Sequence, residues 1–427
     1  MGLVNTRGLA STERKGSDLS DTRPRDGNAS SVSGIARHGR LKKPGILGGI
    51  LGIVGTILGV LVVSSLVIGG LAVYQLQAAI GPSVDIHPHG TVAPPPNIGA
   101  YPGGFNILIV GDDTRAGQGG IGVGPGDGGA LNDVTMLLHV SADHTWATAV
   151  SFPRDMIVPH PKCSKGGTAA GLPVNTALSY GGLACVVTVI EAFTGVDIQF
   201  AGLITFDGVI NLSDAVGGVQ VCITGPMVDL YSGINLPAAG TYTLQGAEAL
   251  AFLRARHAVG DGSDLGRISS QQVFLSSLVR KMETSGTLSN PVTVYQIAKA
   301  ATSSMQLSTS LDSIPTLISI ASTLKNIPPS HVTFVQYPGT TGGTGIYAGK
   351  VQPELALGNE LFDLIKADKP FTLGTQGDNR GSVTAPSGSS TTSATDSPIA
   401  GATVINGLIG QSAATSTCSK TRPLSKQ

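Results

Sequence analysis

Between Phe105 and Val279 the chain has five arginines: Arg115, Arg154, Arg254, Arg256 and Arg267. From Gly166 to Leu253 there is neither lysine nor arginine. Arginines that serve solubility alone scatter over helix faces. Here Arg115 and Arg154 follow the ends of strand-like runs, and the other three bracket a glycine-containing loop. The planar guanidinium fork suits bidentate contact with phosphate oxygens, so several converging on one cluster of loops describe a polyanion site. The same spacing fits plain ion pairs with the neighbouring Asp112, Asp155 and Asp264, and spacing alone does not choose between the two.

Carboxylates accompany the arginines. Asp112 and Asp113 lie in GDDTR at the end of the first strand-like run, the end of an open α/β sheet where ligands bind, and Asp133 begins the next run in NDVTM. Two or three carboxylates with phosphate oxygens and water complete an octahedral shell for Mg²⁺, with Mn²⁺ as the other candidate divalent ion. An aspartate that merely caps a turn is the ordinary alternative. The joining segment, Ala116 to Leu131, has eight glycines in sixteen residues and reads as a mobile lid.

The elements that must position these groups follow from periodicity. Phe105–Val110, Val134–Val140, Trp146–Phe152, Phe200–Phe206, Gly218–Ile223 and His331–Tyr337 read as strands. Asn175–Phe193, a segment from Asp207, Leu244–Ala255, Leu265–Met282, Val294–Ser303 and Ile314–Leu324 read as helices. This alternation predicts an α/β fold, a three-layer αβα sandwich with a central mixed sheet and helices on both faces.

Charge balance places the domain. The chain of 427 residues has 27 basic and 27 acidic side chains, but residues 1–43 hold nine of the former and four of the latter, a net of +5. Pro44 to Val84 carries no charge, and about 20 apolar residues suffice to cross a bilayer. The run is too long, and too far from the terminus, for a signal peptide. With Arg37, Arg40, Lys42 and Lys43 on its N-terminal flank, the N-terminus is expected in the cytoplasm and the remainder outside, as a single-pass membrane protein. The expected divisions are a disordered basic segment at 1–43, a transmembrane helix at 44–76, a Pro/Gly stalk at 77–104, a globular domain at 105–370 and a low-complexity Ser/Thr/Gly tail at 371–427. A neutral balance with 4% aromatics argues against nucleic-acid binding. Cys163, Cys185, Cys222 and Cys418 all fall on the outer side, where disulfides persist. Four cysteines allow three connectivities; Cys163 with Cys185 is favoured by proximity, and Cys222 with Cys418 would tie the tail to the domain.

In order along the chain, FNILIVGDDTR, NDVTMLLHV, SFPRDM, VNTALSYGG, FDGVINLSDAVGGVQV, LQGAEALAFLRARH and GDGSDLGRISSQQ resemble the LytR-CpsA-Psr family of envelope phosphotransferases, over roughly Phe105 to Met282. The resemblance implies transfer of a glycan with one phosphate from a polyprenyl-pyrophosphate carrier to a peptidoglycan hydroxyl. It implies Mg²⁺ on Asp113 and Asp133, and a pyrophosphate clamp of Arg115, Arg154, Arg254, Arg256, Arg267 and Gln271. Asp264 would be the base for the acceptor hydroxyl, and Asp155 would orient Arg154. Through the resemblance the Cys163–Cys185 segment becomes a braced loop near the site, of actinobacterial type, with arabinogalactan or a related wall glycan as the polymer. Two positions depart from the family pattern: Ser270 stands where an arginine often precedes the Gln pair, and Pro173 stands where a lysine is common, with Lys165 as a substitute. Two other functions share these features, a polyprenyl-pyrophosphate hydrolase and a non-catalytic membrane-anchored binding or regulatory protein.

Overall fold

The computed structural model describes residues 45–87, 103–113, 130–165, 167–284, 286–287, 290–377, 379–385 and 399–427. The N-terminal basic segment, most of the expected stalk and the glycine-rich segment with Arg115 lie outside them. The chain divides into two units, Met1–Val63 and Ser64–Gln427.

Helix α1 (Ile46–Ala79) has no charged side chain. It is long and apolar enough to cross a membrane, and Leu58 and Leu66 are 56% and 71% exposed. Such a helix, apolar all round, needs a lipid or protein covering. It fits a membrane anchor.

In the second unit, β1 (Phe105–Asp112), β2 (Asn132–Val140), β3 (Ala147–Phe152), α2 (Ala177–Thr194), β4 (Phe200–Ile204), α3 (Phe206–Ala215), β5 (Val219–Ile223), β6 (Gly240–Leu244) and α4 (Gly246–Arg254) follow in order. Then come α5 (Asp264–Thr284), α6 (Pro291–Ser304), β7 (Met305–Leu307), α7 (Ile314–Lys325), β8 (Val332–Gln336) and α8 (Leu355–Lys366). Three C-terminal strands close the fold: β9 (Ser382–Thr384), β10 (Ile409–Ser412) and β11 (Thr417–Ser419). Local chemistry sets several helix starts. Asn290 and Ser313 cap α6 and α7 by accepting backbone N–H bonds, and both helices have proline in the first turn.

The central sheet runs β7-β4-β1-β2-β3-β8-β10. It is mixed, with β1 antiparallel to β2 and parallel to β4, and β3 parallel to β8. Side chains alternate between its faces, as strand geometry requires. Leu108, Val110, Leu137 and Val150 meet Val186 and Ile190 of α2 and Leu361 and Phe362 of α8. On the opposite face Phe105, Val140 and Phe200 meet Ile320 of α7, and Met136 and Phe334 meet Leu275 and Val279 of α5. Helices on both faces make the three-layer α/β sandwich.

Two segments are more ordered than composition predicts. Val84, in the expected stalk, accepts from Thr309 N–H and donates to Leu307 O, and Ile86 is buried in the core. The expected tail is folded where described: β10 lies at the edge of the central sheet beside β8, while β9 and β11 join β6 and β5 in a second sheet. Its strands are three or four residues long, too short for a periodic signal. They are stabilised by distant partners, among them the Cys222–Cys418 disulfide, which links β5 and β11 across 196 residues. Cys163 and Cys185 form the other disulfide.

Candidate active site

Sheet register gathers the acidic and basic groups at one end of three central strands. Thr135 of β2 pairs with Phe152 of β3, and Gly111 of β1 with Val134 of β2. The end of β1, the start of β2 and the end of β3 therefore adjoin. Asp113 follows β1, Asp133 is the second residue of β2, and Arg154 lies two residues past β3. The N-terminus of α5 adds Asp264 and, one turn on, Arg267.

Arg154 is held by three carboxylates. Its Nη1 lies 2.7 Å from Asp133 Oδ1, and its Nε lies 3.5 Å from Asp264 Oδ1 and 3.6 Å from Asp155 Oδ2. The Arg154 N–H also donates to Asp264 Oδ2 at 3.1 Å. Arg267 Nη2 sits 2.7 Å from Asp264 Oδ1 and donates to the Asp133 carbonyl at 3.0 Å. Arg267 and Asp264 are both buried. The ion-pair arrangement is thus present, and two of the five arginines, Arg154 and Arg267, share Asp133 and Asp264 as partners. Burial by itself would lower the Arg154 pKa, but Asp133, Asp264 and Asp155 outweigh it and hold the guanidinium above its ordinary value.

Asp113 behaves in the opposite sense. Burial raises its pKa most, with Asp133 and Asp112 adding to the rise; the Leu131 N–H bond and Arg154 offset part of it. A half-buried carboxylate beside other carboxylates gains from a nearby cation. Among the described residues no group of three or more His, Cys, Asp or Glu side chains forms a complete protein cage for a metal. Asp113 and Asp133, whose charges interact, could hold an ion only if phosphate and water supplied the rest of its shell.

Arg254 is the last residue of α4, and Arg256 lies in the turn that follows it. Arg254 lies over the Phe206 ring, 4.6 Å from its centroid. Arg256 donates from Nε to Gly262 O at 3.0 Å. The turn has an anchor that the sequence did not single out. Buried Asp229 Oδ2 accepts the N–H groups of Arg256, His257 and Ala258 at 2.9, 2.8 and 3.3 Å. Burial alone would raise the Asp229 pKa; these bonds, with those from Tyr231 and Ser232, depress it instead. Gln271 donates from Nε2 to Leu253 O at 2.8 Å, so it fixes the end of α4 beside Arg254.

Three further residues escaped sequence reading. Asn132, buried at the start of β2, donates to Val174 O and accepts from Leu178 N–H, tying α2 to the site. Lys350 lies 2.9 Å from Asp155 Oδ1, so the fold joins to this cluster a lysine from near the end of the domain. Ser419 is the third: its hydroxyl is 2.8 Å from that of buried Ser270. Only Asn132 carried a local signal, being adjacent to Asp133.

The LytR_cpsA_psr family model matches residues 83–358. The chain belongs to the LytR-CpsA-Psr family. It is similar to the cell wall biosynthesis protein LcpA of Corynebacterium glutamicum, 31% identical over 282 residues that cover 59% of this chain and 53% of that one. It is also 30% identical over 179 residues to the polyisoprenyl-teichoic acid–peptidoglycan teichoic acid transferase TagU of Bacillus cereus, covering 41% of this chain and 52% of that one. The matches span about half the length of these relatives. Among solved structures, a LytR-CpsA-Psr-type enzyme of Actinomyces oris, described as LytR-Csp2A-Psr, shares the fold with a TM-score of 0.50 and 20% identity, covering 67% of this chain and 96% of that one. A Streptococcus agalactiae protein matches with a TM-score of 0.51 and 20% identity, covering 62% and 88%. In this member of the LytR-CpsA-Psr family, the serine at position 270 has a spatial reason: β11 packs against α5 there, leaving room for a hydroxyl and not for a guanidinium.

Proposed function

We propose that this protein transfers a glycan-1-phosphate from a polyprenyl-pyrophosphate carrier to a peptidoglycan hydroxyl, attaching an arabinogalactan-like or teichoic-acid-like wall polymer. The observation that carries this reading is the pair Arg154 and Arg267, both anchored on Asp264 and both facing Asp133. In the reaction the acceptor oxygen bonds to the glycan-side phosphorus, the P–O–P bridge breaks, and polyprenyl monophosphate leaves. Phosphoryl transfer depends mainly on positioning and charge neutralisation, which two fixed guanidinium groups supply. Arg254 and Arg256, with Arg115 from outside the described residues, complete the proposed clamp, and Asp155 orients Arg154. Gln271 contributes by holding Arg254's helix end.

Asp133 and Asp113 would hold Mg²⁺, or Mn²⁺, which when bound polarises phosphoryl oxygen and neutralises developing charge. Asp264 is the carboxylate assigned to the acceptor proton, and the same group aims both arginines. Replacing it by Asn keeps an acceptor for the Arg154 N–H while removing the proton acceptor.

The proposed topology places the N-terminus in the cytoplasm, with one helix in the membrane and the domain outside. The basic flank of α1 and the two disulfides support it. The deciding experiment incubates the full chain in detergent with a polyprenyl-pyrophosphoryl glycan and Mg²⁺, with or without peptidoglycan. Glycan linkage to peptidoglycan with release of polyprenyl monophosphate is expected. Release that ignores the acceptor would make the protein a hydrolase, and no turnover would return it to a binding role.

A further inference from the structure

The C-terminal segment, beyond the family match, closes over the loop that carries the candidate machinery. Residues 420–422 run beside 258–260: Arg422 N–H donates to Ala258 O at 2.7 Å, Gly260 N–H donates to Lys420 O at 2.8 Å, and Val259 pairs antiparallel with Thr421. A second pass of the same segment lies next to it, where Lys420 N–H donates to Gly381 O at 3.0 Å. The approach is so close that a Cβ on Gly260 would collide with Arg380 O, and one on Gly381 with Gly266 O.

This closure sets two guanidinium groups on one residue. A Cβ on Gly262 would meet the Arg422 guanidinium, while Gly262 O accepts from Arg256 Nε at 3.0 Å. Two like charges flanking a single glycine repel unless an anion lies between them or beside them. The adjacent carboxylate, Asp261, is engaged by Ser263 N–H and Oγ–H and lies 3.5 Å from Arg380 Nε. The loop continues two residues later into Asp264 and then Arg267.

We propose that Arg422 is a substrate-contact residue, forming with Arg256 a seat for phosphate oxygens at the Gly262 turn. The ligand class is a diphosphate ester, and the inference rests on the function proposed above. The seat supplies from the far end of the chain a guanidinium that position 270, filled by serine against β11, does not.

The test measures inorganic pyrophosphate binding to the full chain in detergent by calorimetry, for wild type, R422A, R422K, R154A and K426A. Tenfold or greater weakening in R422A is expected, with partial recovery in R422K, which keeps charge without the fork, and no change in K426A. Thermal unfolding checks that each variant folds. Should R422A not fold, phenylglyoxal footprinting of wild type decides, because pyrophosphate must then protect Arg422 from modification. Wild-type affinity in R422A, or no protection, overturns the seat and leaves the Arg154 cluster standing. Absence of pyrophosphate binding by wild type, or binding unaffected by R154A, overturns the underlying function and this inference with it.

Discussion

Arg154 and Asp264 are joined twice, although 110 residues separate them: the Arg154 N–H donates to Asp264 Oδ2 at 3.1 Å, and its guanidinium Nε lies 3.5 Å from Oδ1. The carboxylate thereby fixes both the backbone after β3 and the direction of the side chain. D264N should lower transfer by about 10²-fold or more, since removing a positioned acid–base group costs on the order of 10²–10⁴, and should also lower stability because it leaves buried Arg267 without its charged partner. R154A should lose about 10²–10³-fold, by the magnitude typical of one transition-state charge donor. Steady-state transfer rates check both, and an R154A enzyme at wild-type rate would refute the site.

Arg267 and Asp264 form the buried part of the cluster, with side chains 7% and 5% exposed. Removing one partner leaves a buried charge uncompensated, so R267A should destabilise the domain by about 3–5 kcal/mol. The double variant R267A/D264A should cost less than the two single changes summed. Denaturant unfolding measures this coupling; strict additivity would mean the pair is solvated.

Asp113 gives a pH prediction of definite sign. Its folded pKa is raised, so between 3.8 and that higher value the native state binds more protons than the unfolded chain, and stability falls as pH rises through the interval. At neutral pH the charged form therefore carries a cost. D113N should melt higher than wild type at pH 7 without divalent ions, with the advantage vanishing below about pH 3.8, and should lose transfer activity. Added Mg²⁺ should raise the wild-type melting temperature and leave that of D113N unchanged.

The Ser270–Ser419 contact makes a substitution toward the family pattern harmful. Ser270 is 1% exposed, and an arginine there would drive β11 away from α5 or bury its charge. S270R should destabilise by roughly 3 kcal/mol or more, from overpacking plus an unpaired buried charge, and should not raise activity. A stable, faster S270R would show that β11 is not seated as described.

The two disulfides should differ in effect. They close sequence separations of 196 and 22 residues. Chain entropy assigns the longer loop about 2 kcal/mol more stabilisation. C418S should therefore lower unfolding free energy by more than C163S, and equal losses in denaturant titrations would point to strain or residual structure instead.

The sequence by itself determined the elements whose signal is local. The apolar run of β1, the helical periodicity of α5 and the uncharged stretch of α1 each announce themselves within a dozen or so residues, because period is a property of adjacent side chains. The Asp and Arg types of the site were legible for the same reason: Asp113, Asp133 and Arg154 each adjoin a strand end, and Asp264 and Arg267 open a helix. Tertiary structure alone decided which carboxylate meets which arginine, since Asp133, Arg154 and Asp264 converge only through sheet register and the seating of α5. It also decided that Asp229 anchors the Arg256 turn, that Lys350 reaches Asp155, and that the Ser/Thr-rich C-terminus folds back on the Gly260–Gly266 loop. Strands of three residues, the bonds from the 256–258 turn to Asp229 and a disulfide across 196 residues depend on partners far away in the chain, and no local window of sequence contains those partners.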